Sequence, residues 1–160
     1  AEAIADWFEK LLVEKFAALK VGDPMLPDTD VGPLATPSML EDIDRQVQEC
    51  AKVGAKILFG GKSLTEQVGN FYMPTIVSEI PVEAAIAQEE FFGPVALLFQ
   101  VADLDAAIQL ANATTFGLGS SIWTQDATER ERAIAEIDAG AVFVNSMVKS
   151  DPRLPFGGIK

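Results

Sequence analysis

Histidine is absent from this 160-residue sequence, and cysteine and tyrosine occur once each, as Cys50 and Tyr72. Without imidazoles or a second thiol, the usual soft-metal clusters cannot be assembled and no internal disulfide can form. No metal is therefore expected, and general acid–base chemistry is left to Asp, Glu, Lys and Tyr72. Positive charge is scarce too: 12 Lys and Arg stand against 24 Asp and Glu, a formal net charge of -12. That balance disfavours a nucleic-acid backbone or an anionic membrane as partner and is in keeping with solubility. No apolar run approaches the roughly 18 residues of a membrane span, and the start lacks the basic, apolar and small-residue pattern of a signal peptide. The expected compartment is the cytoplasm.

What is present is a large apolar share, 49% of residues, enough for one domain over 1–160 with a sizeable core. Ile4, Trp7, Phe8, Leu11, Leu12, Phe16 and Leu19 recur at helical spacing, which predicts an opening amphipathic helix ending near Gly22, its aromatic stripe forming core. Pro24 to Pro37 reads as a loop. A second helix is expected from Ser38, with Glu41 completing a capping box, to Gly54. Cys50 falls on its apolar face with Ile43, Val47 and Ala51, so the thiol is read as a packed, inert hydrophobe.

Lys56 to Phe59 reads as a strand closed by Gly60-Gly61, and Phe71 to Ile80 as one or two strands broken at Pro74. Gly61-Lys62-Ser63 is no phosphate loop, because Lys56 stands where that motif needs its first glycine. A short helix is expected over Val82 to Ala87 and a buried strand over Val95 to Val101. Asp103 should cap a helix burying Leu104, Ala107, Ile108 and Ala111. Gly117-Leu118-Gly119 lacks the last glycine and the preceding strand of a dinucleotide fingerprint. Ser121 to Thr124 reads as a strand. A helix with Asp126 and Glu129 as capping box follows, stopping at Gly140, and Ala141 to Asn145 is the last strand. Strands alternating with helices predict an α/β fold with a largely parallel sheet.

The most informative stretch is Gln88-Glu89-Glu90-Phe91-Phe92-Gly93-Pro94-Val95, where paired acids run into paired aromatics and a turn at a strand's entrance. A carboxylate there can accept hydrogen bonds from a sugar diol, and an aromatic two residues on offers a stacking face. Those residues equally suit an acidic turn with two core phenylalanines.

The octapeptide resembles the cofactor-contacting motif of the NAD(P)-dependent aldehyde dehydrogenase superfamily. Val21-Gly22-Asp23-Pro24, Asp30-Val31-Gly32-Pro33-Leu34, Gly54-Ala55-Lys56, Tyr72-Met73-Pro74-Thr75, Phe116-Gly117-Leu118, Ala139 to Asn145 and Pro155-Phe156-Gly157-Gly158-Ile159-Lys160 resemble further family segments in the family's order. The resemblance implies a three-layer α/β catalytic domain with helices on both faces of the sheet. It also implies that the cofactor domain, which decides NAD against NADP, and the oligomerisation hairpin lie outside this chain.

In such enzymes a cysteine thiolate attacks the aldehyde, hydride passes to nicotinamide, and a glutamate-activated water releases the acid. Neither that cysteine nor that glutamate has a matching position here, so no catalytic residue is expected and the isolated chain should be inactive. By the same resemblance, Glu90 is expected to hold the nicotinamide ribose, Phe92 and Leu118 to lie beside the nicotinamide, and Phe156 to line the aldehyde pocket. Glu89 and Phe91 are read as solvated charge and packing. Lys149-Ser150-Asp151-Pro152-Arg153-Leu154 resembles the succinate-semialdehyde dehydrogenase branch, where Arg153 or Ser150 would meet a substrate carboxylate; an exposed loop with scattered charge is the other reading. The implied partners are a small aldehyde and, for the parent enzyme, further copies of itself as dimer or tetramer. A stand-alone binding or assembly module derived from such an enzyme is the alternative.

Overall fold

A computed structural model describes residues 2–160. The described residues fall into two compact units, Ala3–Gln100 and Val101–Lys160 with Glu2. Each contributes helices and at least one pair of parallel strands, which is the expected α/β class.

The first unit begins with α1 (Ala5–Ala17), which packs on β1 (Lys56–Phe59). The expected core stripe is corrected here. The helix buries no residue, and Trp7 is 65% exposed. Its apolar positions wrap around more than one face: Leu12 and Phe16 are half-buried while Ile4, Trp7, Phe8 and Leu11 remain exposed.

The second helix, α2 (Pro37–Lys52), starts earlier than its sequence signal. Thr36 is the cap, its Oγ1 accepting from the Met39 N–H at 3.2 Å. Pro37 takes the first helical position, where a missing N–H costs nothing. The expected Ser38–Glu41 box does not form, because Ser38 already lies inside the first turn, its hydroxyl 3.0 Å from that of Thr36. Ile43, Gln46, Val47 and Cys50 form the buried face at three-and-four spacing.

That face covers a three-stranded sheet with β2 (Thr75–Ser78) in the middle, β1 antiparallel on one side and β3 (Val95–Leu98) parallel on the other. All four residues of β2 are buried, the continuous burial expected of a central strand. Cys50 packs with Val77, Ile80 and Ile86, and Ile43 and Val47 pack with Tyr72. Phe91 and Val95 touch both clusters. The strand expected over Val95 to Val101 ends at Leu98 and is half-buried, as an edge strand is.

The second unit holds α3 (Leu104–Asn112), β4 (Gly119–Ile122), α4 (Ala127–Glu136) and β5 (Ala141–Val144). β4 and β5 pair in parallel, and α4 is the crossover such a pair requires. Asp103 caps α3 as expected, accepting from the Ala106 N–H at 2.9 Å, although Ala111 is exposed. Asp126 caps α4, accepting from Thr128 and Glu129 N–H groups at 2.7 and 3.0 Å. Glu129 does not close a box; its carboxylate accepts from the Thr124 hydroxyl, and the Asp126 N–H donates to that hydroxyl instead. The helix stops at Glu136, ahead of Gly140, because Ile137 is already extended.

The strand expected at Ser121 to Thr124 is shifted to Gly119–Ile122. Beyond the two strand ends, Asn145 is left-handed (φ 51) and its amide exchanges hydrogen bonds of 3.0 and 2.9 Å with the Thr124 main chain. Among the described residues no helix is long and apolar enough to cross a membrane.

Candidate functional site

In the first unit, the acid–aromatic turn lies on the side of α2. Gly93 makes the approach possible: a Cβ there would sit 2.8 Å from Ile43 Cγ1. One helical turn further along, the Gln46 side chain donates from Nε2 to the Glu89 carboxylate and to the Glu90 main-chain carbonyl, both at 2.9 Å. Arg45 adds a more exposed contact to the same carboxylate oxygen at 3.3 Å. The hydrogen bond from Gln46, and then Arg45, holds the Glu89 carboxyl below its ordinary range. Glu89 is therefore an anchor of the turn, which corrects its reading as mere solvated charge.

With its neighbour engaged, Glu90 is exposed, and no side chain among the described residues pairs with its carboxylate. Phe92 is 68% exposed beside it, whereas Phe91 points into the core as expected. Glu90 and Phe92 share the rim of a hollow of about 220 Å³ with Met39, Asp42, Ile43, Arg45 and Gln46. A free carboxylate and a bare aromatic face on one rim fit a ribose diol next to a flat ring.

The second unit carries a larger cavity of about 440 Å³. Its floor includes Ala141 and Phe143, which the two-residue period of β5 sets on one side of the strand. The loop after β5 folds over them, contributing Val148 to Pro152 and Leu154 to Gly157, and Leu118 closes one side. Gly140 and Gly157 meet so closely that a Cβ on Gly140 would fall 1.9 Å from the Gly157 carbonyl oxygen, which fixes the backbone bearing Phe156.

The predicted residues thus fall into two groups. Glu90 and Phe92 share the hollow of the first unit, while Leu118, Ser150 and Phe156 share the cavity of the second. Arg153 lines neither. Its guanidinium forks onto Asp151, with contacts of 2.9 and 2.6 Å, and the Arg153 N–H reaches the same carboxylate at 2.9 Å. That pairing holds the Asp151 carboxyl below its ordinary range. Asp151 is thus the partner that engages Arg153 in the structure.

Comparison with known proteins bears on the family of the chain. The profile of the aldehyde dehydrogenase family matches residues 1–160. The chain belongs to that family.

Curated relatives of the chain include a probable succinate-semialdehyde dehydrogenase [NADP(+)] of Synechocystis sp., 51% identical over 99% of this chain and 35% of that protein. Succinate-semialdehyde dehydrogenase [NADP(+)] 1 of Mycobacterium tuberculosis is 52% identical over 98% of this chain and 34% of its own length. The chain therefore spans about a third of the curated relatives it matches. Among solved structures, succinic semialdehyde dehydrogenase from Streptococcus pyogenes, in complex with NADP+, superposes with a TM-score of 0.93 at 35% identity, covering 99% of this chain and 34% of that one. Aldehyde dehydrogenase 21 from Physcomitrella patens, in complex with succinate, gives 0.92 at 33% identity over 99% of this chain and 32% of that one. The fold is that of the aldehyde dehydrogenases.

Sequence reasoning missed Gln46 and the cavity floor of Ala141 and Phe143. The two-residue period of a strand puts Ala141 and Phe143 on one side, but all four residues of that run are apolar and half-buried, so its sequence does not mark which side is the floor. Nothing local to Gln46 pointed to a partner 43 residues away.

Proposed function

We propose that this chain is the later part of the catalytic domain of an NADP-dependent aldehyde dehydrogenase that oxidises succinate semialdehyde to the acid through a cysteine thioester, as a cytoplasmic homo-oligomer. The observation that carries the reading is the pairing of an unengaged Glu90 carboxylate with an exposed Phe92 on one rim. The curated relatives, named as NADP(+)-dependent succinate-semialdehyde dehydrogenases, support both the substrate and the dinucleotide, with NAD the second choice.

When bound, the dinucleotide would accept the hydride. The part of this chain in that chemistry is positioning. Glu90 would take hydrogen bonds from the ribose hydroxyls, and Phe92 and Leu118 would limit where the nicotinamide can lie. Phe156 would give the aldehyde pocket an apolar wall that keeps water from the reacting carbon. Ser150 faces the cavity and Arg153 stands beside it, so these two would meet the substrate's distal carboxylate.

In this reading the nucleophilic cysteine and the general-base glutamate belong to other parts of the enzyme. Cys50 is unsuited to the first role, since it is 0% exposed and burial, aided by the charge of Glu89, pushes its thiol pKa up. Steady-state turnover of the full-length enzyme tests the assignment. It should oxidise succinate semialdehyde with NADP+ at a higher kcat/KM than an uncharged aldehyde of the same length, while the 160-residue chain alone turns over neither. Preference for the uncharged aldehyde would refute the substrate, and turnover by the isolated chain that is lost in Cys50→Ala would refute the placement of the nucleophile.

A further inference from the structure

Of the side chains around the acid–aromatic turn, Gln46 is buried to 6% exposure and spends its amide on that turn alone. We propose that Gln46 is the positioning residue of the dinucleotide site, fixing the main chain of Glu90 so that the Glu90 carboxylate and the Phe92 ring hold their places on the rim. The proposal rests on the reading of Glu90 as a dinucleotide ligand.

The geometry separates Gln46 from its neighbours. Its Nε2 donates at 2.9 Å to Glu89 Oε2 and at 2.9 Å to the Glu90 carbonyl, so one amide group reaches the carboxylate of one residue and the backbone of the next. Holding a carbonyl fixes the peptide plane that follows it, and with it the direction in which Phe91 and Phe92 leave the turn. Arg45 reaches Glu89 as well, but from an exposed position and at 3.3 Å, where an ion pair contributes little. Gly93 lets the turn lie against Ile43, three residues before Gln46 on α2. The turn is therefore seated by contact at Gly93 and oriented by hydrogen bonds at Gln46. Gln46 also lines the hollow, but its donor group is already committed to the turn.

The full-length enzyme tests this with three variants. Gln46→Met keeps the length and removes both donors; Gln46→Glu keeps the shape and polarity and sets a non-donating carboxylate against Glu89. Glu90→Gln serves as the control on the underlying reading. Two measurements are made without aldehyde: the Kd for NADP+ by equilibrium titration, and amide hydrogen exchange over residues 89–93 in the dinucleotide-free enzyme. Both Gln46 variants should weaken NADP+ binding by about tenfold, the scale of one or two lost hydrogen bonds. They should also speed exchange over 89–93 while leaving β2 protected. Wild-type Kd values in the Gln46 variants, with Glu90→Gln weakened, would overturn the proposal alone. Wild-type binding in Glu90→Gln would overturn the reading beneath it. Loss of protection spread evenly along the chain would make Gln46 a stability residue and also overturn the positioning role. Should Gln46→Met fail to fold, Gln46→Glu decides by the same readings.

Discussion

Arg153 and Asp151 show how one contact alters what a residue can do. From the sequence, Arg153 is a cation available to a substrate carboxylate; in the structure its Nε and Nη2 edge already serves Asp151. A carboxylate bound to that same edge would have to replace Asp151, exchanging one charge-assisted fork for another. Removing the competitor should help the substrate. In the full-length enzyme, Asp151→Asn is expected to lower KM for succinate semialdehyde and Arg153→Ala to raise it, each by roughly 3- to 10-fold, the range of a partly exposed charged contact. Neither should move KM for an uncharged aldehyde of equal length by as much as twofold. Parallel shifts with both aldehydes would remove Arg153 from the recognition of the carboxylate.

Among the elements, local signals and distant contacts fared differently. Asp103 and Asp126 were legible as caps because a cap acts within three residues, and both accept the expected N–H groups. Asp126→Ala should cost about 1 kcal/mol, with 0.5–2 as the range for such caps, read by chemical denaturation. An unchanged midpoint would mean that Thr124 takes over the first turn. The Ser38 cap was misplaced because Thr36 and Pro37 compete for the same start. The α1 stripe was misread because periodicity reports an apolar face but not what covers it. Phe91 as core and Phe92 as exposed were separable only through the family resemblance, since composition makes the two rings equivalent.

The link between α2 and the turn also has a pH dependence with a defined sign. The hydrogen bond from Gln46, assisted by Arg45, depresses the Glu89 carboxyl in the folded state. A depressed acid stabilises the fold above its unfolded pKa, about 4.3, and that contribution is lost as pH falls through the lower folded value. Glu89→Gln should therefore reduce the loss of stability below about pH 4 and leave the slope near neutrality unchanged. Identical acid-unfolding curves for the variant and the wild type would show that the pairing contributes nothing to stability.

At the scale of the whole chain, exposed apolar surface and net charge oppose each other. Trp7 and Phe8 on α1 are 65% and 43% exposed, and Phe92 and Phe156 add 68% and 78%. The two-stranded sheet of β4 and β5 leaves a ladder edge on each strand, and the half-buried Val142-Phe143-Val144 run of β5 carries no charge to discourage pairing with another copy. Against this, a formal charge of -12 makes copies of the 160-residue chain repel one another. Added salt shortens the Debye length to roughly 10 Å at 0.1 M and about 3 Å at 1 M, weakening that repulsion while leaving apolar contact and strand pairing in place. The isolated chain should therefore self-associate more strongly as ionic strength rises, the opposite of an assembly held by ion pairs. Val142→Lys, which sets a charge on the β5 edge, should shift the balance toward monomer at every salt concentration, and Trp7→Glu should do so if α1 is the contact instead. Sedimentation at low and high salt measures the outcome, and a clean monomer at both would show that neither the β5 edge nor the α1 face is adhesive.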